Sequence, residues 1–188
     1  MSVDLLSFSM RLDATVTLAA LRARDAESLF SLIDGNRAHL RQWLPFVDDA
    51  QDATDTQRFI LDVSRLADEG RGMAAAIWDD GSLAGVIGLM EINQRNRNTE
   101  IGYWLGAEHQ GRGLVTRSCA ALVSYAFEAM GLHRVEIYCA PDNARSRRVP
   151  ERLGFVTEGT LRDAEWLYDH YVDNVLYSML STEWRPPA

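Results

Sequence analysis

A mixed α/β domain built on a central sheet is predicted by three features of this 188-residue chain. Apolar residues recur at helical spacing in Leu29, Leu32 and Ile33, in Phe59, Ile60, Val63 and Leu66, and again across 115–130. The pair Asp80-Gly81 between two apolar, β-type runs is a hairpin signal. From 99 to 139 the chain reads strand, glycine-bearing loop, helix, strand.

The elements follow in order. Residues 15–21 alternate loosely and form a first strand. Asp25 can cap a helix beginning near Ala26. Asn36 starts a second, short helix through Leu40, which Trp43-Leu44-Pro45 stops. Asp52 or Thr54 caps a longer helix that Gly70 and Gly72 close. The hairpin strands are 73–78 and 83–91, and a polar turn at 93–98 leads into a strand at 99–105. The glycine loop is 106–113. The helix after it carries Val115, Cys119, Leu122, Ala126 and Met130 on one face and ends at Gly131. Residues 134–139 form another strand, Asp142-Asn143 opens a helix that ends at Gly154, and 155–161 and 172–180 are the closing strands. No repeat, low-complexity segment or linker divides the chain, so 1–188 reads as one domain. Its tail, 185–188, is expected to fray.

Composition narrows the function. The chain is 47% apolar and 24% charged, with a formal net charge of -8. No apolar run reaches the ~18 residues of a membrane span, and residues 1–11 lack the pattern of a signal peptide. The acidic balance argues against a nucleic-acid binder, which needs clustered Lys and Arg. It suits either a cationic acceptor, such as a protonated amine, or simple solubility. Cys119 and Cys139 belong to no metal or redox motif and read as buried thiols in a reducing cytoplasm, a disulfide being the lesser reading. Four scattered histidines give no metal-ligand spacing.

The strongest chemical signal is Gln110-Gly111-Arg112-Gly113 between a strand and an amphipathic helix. A helix N-terminus offers unpaired N–H groups and the positive end of its dipole, and glycine lets an anion approach closely. The spacing is neither a P-loop nor a dinucleotide fingerprint. Two glycines before a helix also fit a plain left-handed turn.

Three blocks in fixed order shift that balance. Gln110-Gly111-Arg112-Gly113-Leu114 resembles the acetyl-CoA motif of the GNAT superfamily, Gln/Arg-x-x-Gly-x-Gly/Ala, with Val115 in the last place. Glu100-Ile101-Gly102-Tyr103-Trp104-Leu105 before it is similar to the RimJ/RimL-like branch, the ribosomal-protein N-terminal acetyltransferases. So are Asn143-Ala144-Arg145-Ser146 and Val149-Pro150-Glu151-Arg152-Leu153-Gly154-Phe155. The resemblance spans about 16–184. It implies a mixed, mostly antiparallel sheet of about seven strands, flanked by helices, whose fourth and fifth strands splay apart around the pantetheine arm of acetyl-CoA. It implies that Tyr103, Trp104 and Leu105 supply the strand edge. Gln110, Gly111, Arg112, Gly113, Leu114, Val115 and Thr116 would wrap the pyrophosphate, and Asn143 and Ser146 would meet the pantetheine and its sulfur. No metal is implied. A homodimer is suggested by relatives alone.

Direct attack on a thioester needs a neutral amine and a protonated leaving thiolate. The family's acid is often a tyrosine seven residues after the motif asparagine. That position is Pro150 here, which cannot donate and is expected to bend its helix. Ser146 is the nearest hydroxyl, unless it only bonds helix backbone. Glu100 is the first candidate base. Period-two alternation puts Glu100, Gly102 and Trp104 on one face and Ile101, Tyr103 and Leu105 on the other. The alternatives are a structural partner such as Arg95 or Arg97, a water relay, or one of Glu91, Asp169 and His170. Arg41, Trp43, Leu44 and Phe46 on one side, and Trp166, Tyr168 and His170 on the other, would wall the acceptor site, or else are ordinary packing. The resulting expectation is acetyl transfer to a primary amine, with a ribosomal-protein N-terminus first and a small-molecule amine second. A CoA-binding sensor without turnover is the reading from a different class.

Overall fold

The computed structural model describes residues 4–187. Ala188 of the tail expected to fray lies outside the described residues. Eight strands form one sheet: β1 (Ser9–Arg11), β2 (Val16–Ala20), β3 (Met73–Asp79), β4 (Ser82–Asn93), β5 (Asn98–Leu105), β6 (Arg134–Cys139), β7 (Val156–Leu167) and β8 (His170–Leu180). Their order across the sheet is β1-β2-β3-β4-β5-β6-β8-β7, and all neighbours are antiparallel except β5 and β6. About seven strands are expected from the sequence pattern. The additional one, β1, is three residues long and mostly exposed, too short to show an alternation. The splayed pair are therefore the fifth and sixth strands by count.

Five helices flank the sheet: α1 (Ala26–Gly35), α2 (Arg37–Leu40), α3 (Ala53–Asp68), α4 (Leu114–Glu128) and α5 (Ala144–Arg152). Alternation along the strands sends side chains to opposite faces. Ala76, Leu83 and Val86 pack with Leu29, Ile33, Leu40 and Ile60 of the early helices. Ile77, Ile87, Ile101 and Ile137 pack with Leu114, Cys119, Leu122 and Val149 of α4 and α5. The two helical layers thus occupy opposite faces and leave the β5–β6 region between them.

Local chemistry sets the boundaries. Asp52 caps α3, its carboxylate accepting from the N–H groups of Thr54 and Asp55. Asp25 precedes α1 but turns back, its carboxylate accepting from the Arg22 N–H; one short 3-10 turn comes first. Asp80 and Gly81 both have positive φ, as the two central residues of a type I′ hairpin turn require. β7 runs six residues beyond the expected strand at 155–161. A register shift between Leu161 and Glu165 carries the hairpin on to Leu167 and His170. The polar composition of 162–166 hid this extension.

Candidate active site

β5 and β6 pair in parallel only at Asn98–Arg134, Thr99–Val135 and Glu100–Glu136. Beyond Glu100 the strands part. The β5 edge from 101 to 105 then faces an opening and not a neighbour, and an unpaired strand edge offers backbone donors and acceptors to an extended ligand. Tyr103, Trp104 and Leu105 lie on that stretch.

The loop after β5 is tied down at its start. The Gly106 N–H donates to the Ala84 carbonyl, and the Ala107 N–H donates to the Asn36 side chain at 2.8 Å. A 3-10 turn at Ala107–His109 follows. Gly111 and Gly113 are left-handed (φ 75° and 72°), and a Cβ at either would point into open space. Gly113 is the N-cap of α4 and supplies no side-chain cap. Among the described residues the N–H groups of 111–116 donate to no protein acceptor; the next one, on Arg117, bonds the Gly113 carbonyl. Four of these donors, from Gly113 to Thr116, are the ones every helix start leaves open, and the two left-handed glycines before them leave room for an anion to approach. The residues present therefore fit a pyrophosphate.

The polar side chains of the loop are committed elsewhere. Gln110 bridges α2 and α5: its amide nitrogen is 2.7 Å from His39 Nε2, and its carbonyl oxygen accepts from Arg145 at 2.6 Å. Arg112 pairs with Asp79, a buried carboxylate at the end of β3. His109 Nδ1 lies 3.7 Å from the same carboxylate. Sequence reasoning missed Asp79, because a lone acid before a hairpin turn reads as turn chemistry.

Ser146 sits near the start of α5, below the opening. The Asn143 side chain caps this helix, its Oδ1 accepting from the Ser146 N–H at 3.2 Å. The Ser146 hydroxyl does not turn back onto helix backbone. It donates to the Tyr103 hydroxyl at 3.3 Å and lies 3.2 Å from the Cys139 sulfur. Tyr103 in turn donates to the Ser146 carbonyl at 3.0 Å. The sequence placed Tyr103 as a strand edge only. Its side chain is on the Ile101 face, as alternation required, and reaches α5. Burial raises its hydroxyl pKa far above the ordinary phenol value. Cys119 and Cys139 are free and buried.

Glu100 lies on the opposite face, with Trp104, where the two strands separate. Among the described residues its carboxylate makes no hydrogen bond or ion pair, so neither Arg95 nor Arg97 holds it. Burial, reinforced by Glu136, Glu91 and Glu165, raises its pKa. Glu136 is engaged by Arg134 at 2.6 Å and by the Tyr138 hydroxyl at 3.2 Å. Glu100 is thus the unpaired carboxylate at the head of the opening.

The acceptor side divides. Phe46 and Trp104 are 6.0 Å apart between ring centroids. The Arg41 guanidinium lies 4.2 Å over the Tyr168 ring and is chelated by Asp48, while the Tyr168 hydroxyl donates to the Leu44 carbonyl. These contacts join the α2 segment to the β7–β8 turn. Trp43 is half-buried beside them. Trp166 instead meets Tyr171 edge-on at 4.8 Å, both exposed, and His170 pairs with Asp169 in solvent. Among the described residues no hydrogen bond, ion pair or ring contact joins Trp166 or His170 to the Arg41–Tyr168 pair. Among the described residues no group of three His, Cys, Asp or Glu side chains could hold a metal ion. No described helix is long and apolar enough to cross a membrane.

A splayed parallel pair with a donor-rich helix N-terminus at its mouth defines a class. Residues 15–156 match the model of the acetyltransferase (GNAT) domain, and the chain belongs to that family. It is an acetyl-CoA-dependent N-acetyltransferase. It is 41% identical over 180 residues to the putative ribosomal N-acetyltransferase YdaF of Bacillus subtilis, covering 95% of this chain and 98% of that protein. It is 32% identical over 172 residues to the ribosomal-protein-serine acetyltransferase of Escherichia coli, covering 92% and 96%. Among solved structures, RimL, a ribosomal L7/L12 α-N-protein acetyltransferase in complex with coenzyme A, superposes with a TM-score of 0.89 at 27% identity over 92% of this chain and 98% of that one.

Proposed function

We propose that this enzyme, acting as one domain, moves acetyl from acetyl-CoA to the N-terminal α-amine of a protein, of the ribosomal-protein type, by direct attack within a ternary complex. The observation that carries the reading is the likeness to YdaF over 95% of the chain, which includes the acceptor side as well as the donor side. The free N–H groups of 111–116 would hold the pyrophosphate, with the Arg112 charge beside them. The open backbone of Tyr103, Trp104 and Leu105 would pair with the pantetheine arm, and the Asn143 amide would face it. Backbone donors at that edge would also meet the thioester oxygen as charge develops on it. Glu100 would take the proton of the amine, directly or through one water, and the burial that raises its pKa makes it a stronger base than an exposed carboxylate. Ser146 would give its proton to the departing sulfur. Base and acid stand on opposite faces of the sheet, which suits an amine arriving from one side of the opening and a thiol leaving on the other. Phe46, Trp43, Arg41 and Tyr168 would line the acceptor path, with Trp166 and His170 farther out.

Homodimerisation and a cytoplasmic setting belong to the same reading. The free outer edge of β7, with Val156, Leu161 and Trp166 exposed, supports the first, and the buried free thiols support the second. The test is a short peptide carrying both a free α-amine and a lysine, incubated with acetyl-CoA and mapped by mass spectrometry. Acetyl on the α-amine alone is expected. Acetyl on the lysine alone, or on neither while a polyamine or amino sugar is modified, refutes it.

A further inference from the structure

Proline inside a helix removes one backbone donor, and the carbonyl four residues earlier loses its partner. Pro150 stands inside α5, so the deprived carbonyl is that of Ser146, whose own hydroxyl is the candidate acid. The carbonyl is not left bare. The Tyr103 hydroxyl donates to it from β5 at 3.0 Å. The same Tyr103 oxygen accepts from the Ser146 hydroxyl at 3.3 Å. One phenol therefore makes two bonds to one residue, across the place where β5 and β6 no longer pair.

We propose that Tyr103 is a positioning residue for Ser146: its hydroxyl stands in for the N–H that Pro150 lacks, and so clasps the first turns of α5 to β5 beneath the reacting thioester. The inference rests on the reading of Ser146 as the proton donor. Two other roles for the hydroxyl account for less. As a proton donor in its own right Tyr103 would have to release the Ser146 carbonyl, which Pro150 leaves without a helical partner. As mere packing the hydroxyl is redundant, because phenylalanine fills the same space without either bond.

The test is steady-state turnover of acetyl-CoA with a saturating amine acceptor, together with calorimetric affinity for acetyl-CoA. The variants are Tyr103→Phe, Pro150→Ala, the two combined, and Ser146→Ala. Tyr103→Phe is expected to lower kcat about three- to tenfold, the range spanned by one hydrogen bond, with acetyl-CoA affinity unchanged. Pro150→Ala alone should turn over close to wild type. The double variant should regain part of the lost kcat, because an N–H returns to position 150 and satisfies the same carbonyl while the bond from the Ser146 hydroxyl to β5 stays lost. A general stability defect in Tyr103→Phe would not be repaired in this selective way. Wild-type kcat in Tyr103→Phe, or a loss that Pro150→Ala leaves wholly unrepaired, overturns the clasp. Wild-type kcat in Ser146→Ala overturns instead the reading of Ser146 on which the clasp depends.

Discussion

Replacing Glu100 with glutamine keeps the shape of the side chain and removes its basicity. An α-amine with an unperturbed pKa near ~8 is about 10% neutral at pH 7 and about 90% neutral at pH 9. Without a base, the rate on such an acceptor should therefore rise roughly tenfold between these pH values as the neutral fraction rises. An aliphatic side-chain amine with a pKa near ~10.4 would gain about a hundredfold over the same interval. The structure adds a second readout. Burial and three neighbouring carboxylates raise the Glu100 pKa, so the folded state binds its proton more tightly than the unfolded chain does. Its contribution favours folding at low pH and is lost as pH rises through the raised value, so burying this carboxyl costs stability above the ordinary carboxylate range. Glu100→Gln should accordingly raise the melting temperature at pH 7 while lowering turnover there by about 10²-fold, the low end for a general base. The assay is thiol release at pH 7 and pH 9 beside thermal unfolding at pH 7. An equal loss of rate at both pH values, with no gain in melting temperature, would refute both the base and the unpaired carboxylate.

Three further outcomes follow from the geometry. Gly113→Val places a β-branched residue at φ 72°, where the left-handed conformation costs about 1–2 kcal/mol, and it should abolish the thermal stabilisation by acetyl-CoA; a stabilisation equal to wild type would remove the cradle from the site. Asp79→Asn releases Arg112 towards the pyrophosphate and removes a negative charge beside it, so it should lower the KM for acetyl-CoA about three- to tenfold, a modest effect for a half-exposed partner, while acetyl-pantetheine, which lacks the pyrophosphate, is used as before; an equal change with both donors would count against an Arg112 contact with the pyrophosphate. Arg134 and Ser178 hold the Glu158 pKa down to about 2, so its stabilisation is present above the ordinary carboxylate range and fades as pH falls towards 2. Glu158→Gln should therefore flatten acid unfolding between about pH 4.5 and 2, and an unchanged acid profile would count against the Arg134–Glu158 pair.

Much of the donor side was legible in the residues. Strand alternation alone sorted Glu100 and Trp104 from Tyr103, and the left-handed glycine loop before an amphipathic helix stood where the pattern put it. Reach across the fold was not legible. Tyr103 meets Ser146 over a separation of 43 residues, and nothing in the local pattern of either segment signals the contact. Pro150 was visible as a missing donor, but which group would answer for it was not. Gln110, expected to wrap the pyrophosphate with its neighbours, spends its amide on His39 and Arg145. The acceptor wall was the least legible, because aromatic residues near a sheet end serve packing and binding alike. Tyr168 came to the Arg41 segment, while Trp166, two residues earlier, turned away and met Tyr171.

The most direct measurement is the ratio of kcat/KM for a ribosomal-protein N-terminal peptide to that for spermidine and for an amino sugar, all at pH 7 with saturating acetyl-CoA. The account predicts a ratio well above ten in favour of the peptide, with turnover lost when its α-amine is blocked. Equal or greater kcat/KM for either small amine, or unchanged turnover of the blocked peptide, would contradict it.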